Sequence, residues 1–486
     1  MSPLRRATAG LGAAIVLALG LPAAAPGVES GGADDIARYL ADHRARTHVP
    51  GLAWAVVDRH GTTIRGTLGI DGDGERVTPG TPFFLGSVSK TLTAALVLRL
   101  ADDGVLDLDA PVTQTLPWLD AAAPDVGRQI TAARLLGHRS GFDADAGLRV
   151  ADRRSAARKA VTATARGLRD NGPVAAPGTY QYSSANYLLL GALVEQATGR
   201  PFVDVLAEDL LHPLGLSGVA RYAHDSGAVP PGHRLAWGRA WPYDVGPVAG
   251  GLPYGYAAAT LNDAATLASS LLVARPGGVW PPSMLAAVRD GPAPDVEQAR
   301  YDTGWRVERR DGERVAWHSG ATPGFFSTVL LLPRRGLAVV LLQNGYAPAR
   351  DAQLNEAAFD VARLATGRAV HPIDPDPLLL TAPWALVALG ALLLTTTLVG
   401  ARRRTVRPRR GRLWLLGGWT ALLAAVAATA AWALSRAAAG SVTVLARWTP
   451  DLFLAGVALV GCCALAILVA AAAALRTARL HRSVRP

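Results

Sequence analysis

Apolar and polar positions divide the chain into a strand-rich start, a helical middle and a strand-rich end. Gly51 to Asp58 (GLAWAVVD) and Thr63 to Ile70, separated by a turn at Arg59-His60-Gly61, predict an opening strand pair. Ser87 to Leu100 and Ala185 to Thr198 carry apolar residues at helical spacing, and Gly199 closes the second. From Gly304 the texture is β again: Gly304 to Glu308, Arg314 to His318, Gly324 to Leu332 and Leu337 to Gln343, with turns at Asp311-Gly312 and Pro333 to Gly336. A last helix, Asp351 to Thr366, precedes a linker (367–376) that contains Pro and Asp from His371 to Asp376. Strands at both ends of one mixed domain, residues 29–366, imply a sheet assembled from both ends. The expected class is α/β in the wide sense, α+β in the strict one. No repeat with a period of about 20 to 50 residues interrupts it.

Three later runs carry no charged residue: Pro377 to Gly400, Leu413 to Leu434 and Leu452 to Leu475. Each is long enough to cross about 30 Å of hydrocarbon as a helix. The loop Ala401 to Arg412 is dense in arginine, the next holds only Arg436 and Arg447, and the tail (476–486) carries Arg476, Arg479, Arg482 and Arg485. Positive residues stay on the cytoplasmic side, so the first helix runs inward, the second outward and the third inward again. At the other end Arg5-Arg6, an apolar run from Ala9 to Leu21 and Ala23-Ala24-Ala25 match a secretory signal spanning residues 1–28. Both readings place the middle domain outside the cytoplasm, on a multi-pass anchor in the cell membrane. No acidic or basic residue lies inside the three runs, which gives an ion path or proton relay nothing to work with.

With 50% hydrophobic and 18% charged residues, the chain is neither disordered nor collagenous. Its net charge of +11 suggests nucleic acid until it is located. The excess lies at the flanks of apolar segments, suited to lipid phosphates, while residues 29–375 are slightly acidic; nucleic acid is excluded as a partner. Both cysteines, Cys462 and Cys463, are adjacent in the third apolar run, so the exported domain is held by its core and not by disulfides.

Lys90 and Lys159 are the only lysines among 49 basic residues, so a lysine in an apolar neighbourhood needs a reason. Lys90 stands one helical turn after Ser87, which puts both side chains on one face. An ammonium can lose its proton when desolvated and a guanidinium cannot. Ser87 and Lys90 therefore form a candidate nucleophile and proton acceptor at a helix N-terminus; alone, the pair reads equally as a cap serine beside a solvated lysine. Tyr182, in YQYSSANY, could serve as general base if a nearby ammonium lowered its pKa, or could be a core aromatic. His318-Ser319-Gly320-Ala321 ends a strand where small residues let a substrate backbone lie alongside an N–H donor. Trp237, Trp241 and Tyr243, in a Gly- and Pro-rich segment, either line an apolar substrate site or pin that segment to the domain. His43 and His48 form no metal-ligand set, and no metal or organic cofactor is called for.

Taken in order, SVSKTLTAALVLRLADDGVLDLDAPV, ITAARLLGHRSGF, YSSANYLLLGALVEQATGRPF and HSGATPGF resemble the penicillin-recognising serine hydrolases over about residues 33–366. The nearest branch is that of class C β-lactamases, serine D-Ala-D-Ala carboxypeptidases and related esterases. The resemblance implies an antiparallel sheet flanked by helices, a helical lobe, and an active site between them. It implies that Ser87 is acylated, that Lys90 and Tyr182 manage the proton, and that the N–H groups of Ser87 and Ala321 form the oxyanion hole. Ser184, His318, Ser319 and Gly320 would contact substrate. Two positions depart from the pattern. Ser184 stands where the family usually has Asn, with fewer donors for a substrate amide, and Asn186 is too far along the helix to be assumed a replacement. His318 stands for a third-motif Lys or His and carries no fixed charge at neutral pH.

The expected protein is a membrane-anchored serine hydrolase acting on a peptide or small acyl ester, with a dedicated β-lactamase less favoured. The alternative is a hydrolase-like module that binds cell-wall peptides or β-lactams and reports through the three helices to a protein partner that the sequence does not identify.

Overall fold

A computed structural model describes residues 30–483 apart from the segments 121–126, 151–153, 158, 171, 276, 292–299, 404–409 and 438–440. The expected signal, residues 1–28, the core of the basic loop after the first apolar run, and the last three residues of the tail lie outside the described residues.

Helix α1 (Ser30–Thr47) leads into β1 (Gly51–Asp58) and β2 (Gly61–Gly69). Helices α2 (Ser89–Asp102) and α3 (Ser184–Thr198) form the heart of the helical lobe, and α4 (Leu261–Val273) returns the chain to the sheet. Strands β3 (Arg300–Asp302), β4 (Trp305–Arg310), β5 (Glu313–Thr322), β6 (Phe325–Leu332) and β7 (Leu337–Gln343) precede α5 (Asp351–Ala365). The seven-stranded sheet runs β2-β1-β7-β6-β5-β4-β3 and is antiparallel throughout. It is built from both ends of the domain because β1 pairs with β7, Leu52 opposite Gln343.

The strands are apolar on both sides because both faces are covered. Ala53, Ala55 and Val57 of β1 face the lobe, with Val340 and Leu342 of β7; Leu52, Trp54 and Val56 face α1 and α5, against Leu40 and Val361. Alternation along a strand sends successive side chains to opposite faces, so one apolar run serves two cores. On the exposed side strand, Gly66 stands opposite Trp54, where a Cβ would collide with the indole.

Three long helices follow: α6 (Pro377–Arg402), α7 (Arg410–Ala437) and, after a short α8 (Val442–Trp448), α9 (Pro450–Ser483). The spans Pro377–Arg402, Trp414–Arg436 and Pro450–Thr477 have mean hydropathies of 2.1, 1.6 and 2.8, long and apolar enough to cross a membrane. They pack on one another through Leu393, Leu423, Leu459, Cys463 and Ala466. Trp419 Nε1 donates to Thr397 Oγ1 at 2.8 Å, a polar bond between α7 and α6. The last helix runs on through Arg476, Arg479 and Arg482, which the sequence assigned to a tail.

The bundle docks on the end of the sheet marked by Gly51, Phe325 and Gln343. Trp448 meets Tyr346 edge-on at 5.7 Å, Tyr346 stacks on Phe326 at 5.8 Å, and Arg234 donates to the Ala446 carbonyl at 3.1 Å. Trp237 sits with Gly238 in a two-residue hairpin turn, both at positive φ (56° and 73°), and its indole meets Trp384 of α6 at 4.7 Å. Trp237 therefore pins the domain to the bundle. Trp241 is half exposed and donates to Ala236, and Tyr243 lies under the Arg234 guanidinium at 4.2 Å.

Candidate active site

Ser87 lies in the single turn Gly86–Val88 at the head of α2, pressed against β5. Two glycines make that approach possible. Gly86 adopts φ 53°, and a Cβ there would collide with the backbone at Gly320 and Ala321; a Cβ on Gly320 would strike Leu85 O and Ser87 N. The two glycines thereby bring the Ser87 turn against the backbone at Gly320 and Ala321. Ser327 Oγ donates to Leu85 O at 2.6 Å and Leu85 N to Ala257 O at 2.8 Å, which fixes the turn.

Lys90 is completely buried and donates to Ser87 Oγ at 2.9 Å, Ser184 Oγ at 3.2 Å and the Tyr254 carbonyl at 2.7 Å. No carboxylate lies within ion-pair distance of it among the described residues. Burial, reinforced by the Arg306 charge, holds its pKa well below the lysine range. A buried amine of this kind stands ready to be neutral.

Tyr182 lies beside Ser87 with its ring 5.2 Å from Lys90 Nζ. Its phenol pKa is pushed up to about 12, chiefly by burial, against the lowering contact with Ser87. Of the two readings the sequence left open, the lowered pKa of a general base is not the one found: Lys90 lies over the ring, and desolvation of the phenolate dominates. Tyr182 keeps its proton.

His318 is buried, with Nδ1 2.6 Å from the Ser319 carbonyl and Nε2 3.1 Å from the Tyr301 hydroxyl. A ring nitrogen facing a carbonyl carries the hydrogen, so Nε2 accepts from Tyr301. Burial first, then the Arg306 and Lys90 charges, depress its pKa well below the usual histidine value. The imidazole is neutral and fully engaged. Ser319, Gly320 and Ala321 lie just past the last β4–β5 pair, Arg306 with Trp317, so β4 leaves the backbone edge of β5 open at these residues. An extended substrate can add there as a strand.

Ser184 opens α3, where Ser183 caps the helix by accepting from Ala185 N–H, and turns its hydroxyl to Lys90. Asn186 is buried one layer behind, bonded to Ser140 and to His138 Nδ1, and does not replace the family amide.

Sequence reasoning missed four contributors. Arg306 holds its guanidinium 5.4 Å from the Tyr182 ring and 5.8 Å from that of Tyr301. It forms no ion pair among the described residues and lowers the pKa of Lys90, His318 and His138. It was one arginine among many, and only the register opposite Trp317 marks it. Tyr301 comes from a three-residue strand too short to show a period. His138, at φ 55° and fully buried, accepts from Ser183 N–H at 3.2 Å and packs at a tilt 4.3 Å from the Tyr182 ring, which holds that ring in place. Tyr254 contributes a carbonyl, which no side-chain pattern reveals.

A profile of the Beta-lactamase family matches residues 36–363. Penicillin-binding protein 4 of Amycolatopsis lactamdurans is 33% identical over 332 residues, 62% of this chain and 82% of that protein. Unguisins hydrolase ungD' of Aspergillus campestris is 28% identical over 341 residues, 64% of this chain and 61% of that protein. The structure of an octameric penicillin-binding protein homologue from Pyrococcus abyssi shares the fold, with a TM-score of 0.58 at 19% identity over 73% of this chain and 81% of that one. The four sequence blocks, the lobe-and-sheet fold and these relatives converge, and the chain belongs to the Beta-lactamase family as a penicillin-recognising serine hydrolase of the carboxypeptidase and esterase kind.

Proposed function

We propose that the chain is an exported, membrane-anchored hydrolase that cleaves an ester or amide through an acyl-enzyme on Ser87. The observation that carries this reading is the buried Lys90 amine, 2.9 Å from Ser87 Oγ and without a carboxylate. In its neutral form Lys90 takes the Ser87 proton as Oγ attacks the substrate carbonyl. The oxyanion that forms is held by the N–H groups of Ser87 and Ala321. Tyr182, kept as a phenol, gives its proton to the leaving group, and the proton that Lys90 took from Ser87 returns to the Tyr182 oxygen, by way of the Ser184 hydroxyl that Lys90 contacts. Water then attacks the acyl-enzyme, Lys90 again accepting the proton and returning it to Ser87 Oγ as the acid leaves.

Two features narrow the substrate. His318 is neutral and committed to Tyr301, so a substrate carboxylate would find its positive charge in Arg306. Ser184 is engaged with Lys90 and offers no amide to clamp a substrate amide. Arg306 suits a substrate that bears a carboxylate, and Ser184 favours an ester over a peptide or β-lactam whose amide needs a clamp. Export and anchoring rest on the N-terminal signal pattern, the three apolar helices and the arginine distribution between them.

Full-length protein exposed to a fluorophosphonate and a fluorescent penicillin should be labelled, with the adduct on the peptide that contains Ser87. Ser87→Ala should remove all labelling while thermal unfolding is unchanged. Labelling that survives the substitution would sink the assignment.

A further inference from the structure

The end of the sheet remote from the bundle holds an open groove of about 830 Å3. Its walls carry six arginines, Arg59, Arg275, Arg289, Arg309, Arg314 and Arg334, and no aspartate or glutamate among the described residues. Two of the six have structural work: Arg289 donates to the carbonyls of Leu271 and Ala274, and Arg314 to those of Val288, Ala287 and Gly291. The other four are exposed and form no ion pair among the described residues.

Asp58 precedes Arg59 and accepts from the N–H groups of His60 and Gly61. Asp311 is taken by Arg363, and Glu313 by Arg335 and Arg368. Arg309 stands directly opposite Arg314 in the β4–β5 ladder, a like-charge pair of the kind that destabilises a sheet, although Arg314 is held on backbone carbonyls and Arg309 donates to Gly312 O. Arg59 and Arg334 lie on adjoining turns because β1 and β7 pair as far as Asp58 with Leu337. A domain of nearly balanced charge has thus gathered cations at one end.

Position decides what the groove faces. Strands β1, β6 and β7 have one end at the bundle and the other at the groove, and their seven or eight residues span about 25 Å. That exceeds a Debye length of about 8 Å several-fold, so the bilayer around the bundle is not the ligand. Guanidinium forks match phosphate oxygens two at a time, and a row of them suits repeated charges better than one isolated ion.

We propose that this groove binds a phosphodiester-linked polyol polymer, tethering the hydrolase domain to polyanionic wall material on the side away from the membrane. Choosing a wall polymer over a nucleic acid rests on the export proposed above; the binding itself does not.

The test uses the full chain in nanodiscs of zwitterionic lipid, with fluorescent poly(glycerol phosphate) as probe, titrated at several salt concentrations. Oligodeoxythymidylate of equal charge is the competitor. The fourfold variant Arg59→Ser, Arg275→Ser, Arg309→Ser, Arg334→Ser should bind about a hundredfold more weakly, the salt slope falling by about one per arginine. Fluorophosphonate labelling of Ser87 should be unchanged, which reports an intact domain. If the fourfold variant does not fold, Arg275→Ser with Arg334→Ser should give a smaller loss in the same direction. Equal binding by wild type and variants, or binding of the thymidylate with none of the polyol phosphate, would overturn the proposal. Loss of Ser87 labelling in the wild type would overturn the hydrolase reading and leave this one standing.

Discussion

The two sides of the sheet both bury cations and treat them in opposite ways. Beneath α1 and α5, Arg363 donates to Glu356 at 2.6 Å, Asp360 at 2.7 Å and Asp311 at 2.8 Å, and Arg310 joins Glu356 at 2.5 Å. Tyr39 completes the set by donating to Asp360 at 2.7 Å. Burial works against the Arg363 charge, yet its bonds to Glu356, Asp311 and Asp360 hold its pKa above the usual range. On the lobe side Lys90 is buried more deeply and receives two hydroxyls and a carbonyl in place of carboxylates. A charge that must persist is surrounded by opposite charge, and an amine that must shed its proton is denied it.

Substitutions at the two cations should separate these roles. Lys90→Met keeps volume and removes the amine; acylation should fall by about 10²–10⁴-fold, the usual worth of a general base, measured by fluorophosphonate labelling rates. Stability should move the other way. The folded pKa of Lys90 lies below its unfolded value of about 10.4, so between the two the unfolded chain binds the extra proton. Wild-type stability therefore rises with pH across that window, by about 1.4 kcal/mol per pH unit, and the advantage of the Met variant should shrink as pH approaches 10. Denaturant titrations at several pH values read this directly, and a Met variant less stable than wild type at neutral pH would break the contrast.

Arg363→Met should do the reverse. Leaving Glu356 and Asp360 buried without their partner should cost about 3–5 kcal/mol of stability, with the Ser87 labelling rate per folded molecule unchanged. A smaller effect is expected at Arg306, the second uncompensated cation of the lobe side. Arg306→Gln should reduce kcat/KM for carboxylate-bearing esters by about 10–100-fold, as for loss of one charged hydrogen bond, and leave neutral esters nearly unaffected. Equal losses on both substrate types would assign Arg306 to packing against Tyr182 and Trp317.

How much of this was legible in the sequence follows the same division. The opening strand pair, α2, α3, the strands from β4 onward and α5 stood out because each is long enough to show its period. Helix α1 went unread: its apolar face, Ile36 and Leu40, is sparse among charged residues. Strand β3, with Tyr301, is too short for any periodicity, and the small sheet that docks the bundle depends on pairing Gly345–Tyr346 with Gly232–Ala236 across the chain. Within the site, Ser87, Lys90, Tyr182 and Ser184 were legible as motifs, and they do meet. The direction of the Tyr182 shift was not, because it depends on how completely the ring is buried. Arg306 and the Tyr254 carbonyl were invisible for a related reason: their roles come from register and loop path, and neither residue type is unusual. Trp237 was read as a site or a pin, and only the packing against Trp384 separates the two.

The central claim is that a neutral Lys90 activates Ser87, and the pH dependence of Ser87 acylation tests it most directly. Fluorophosphonate adduct formation would be followed by mass spectrometry in wild type and Lys90→Arg, with Lys90→Met as the folded control. The account predicts a wild-type rate that rises with pH and reaches its plateau well below the ordinary lysine pKa of about 10.4. It predicts no such limb in Lys90→Arg, whose guanidinium cannot give up its proton. A wild-type rate still climbing through pH 10, or a Lys90→Arg variant acylated at the full rate, would contradict it.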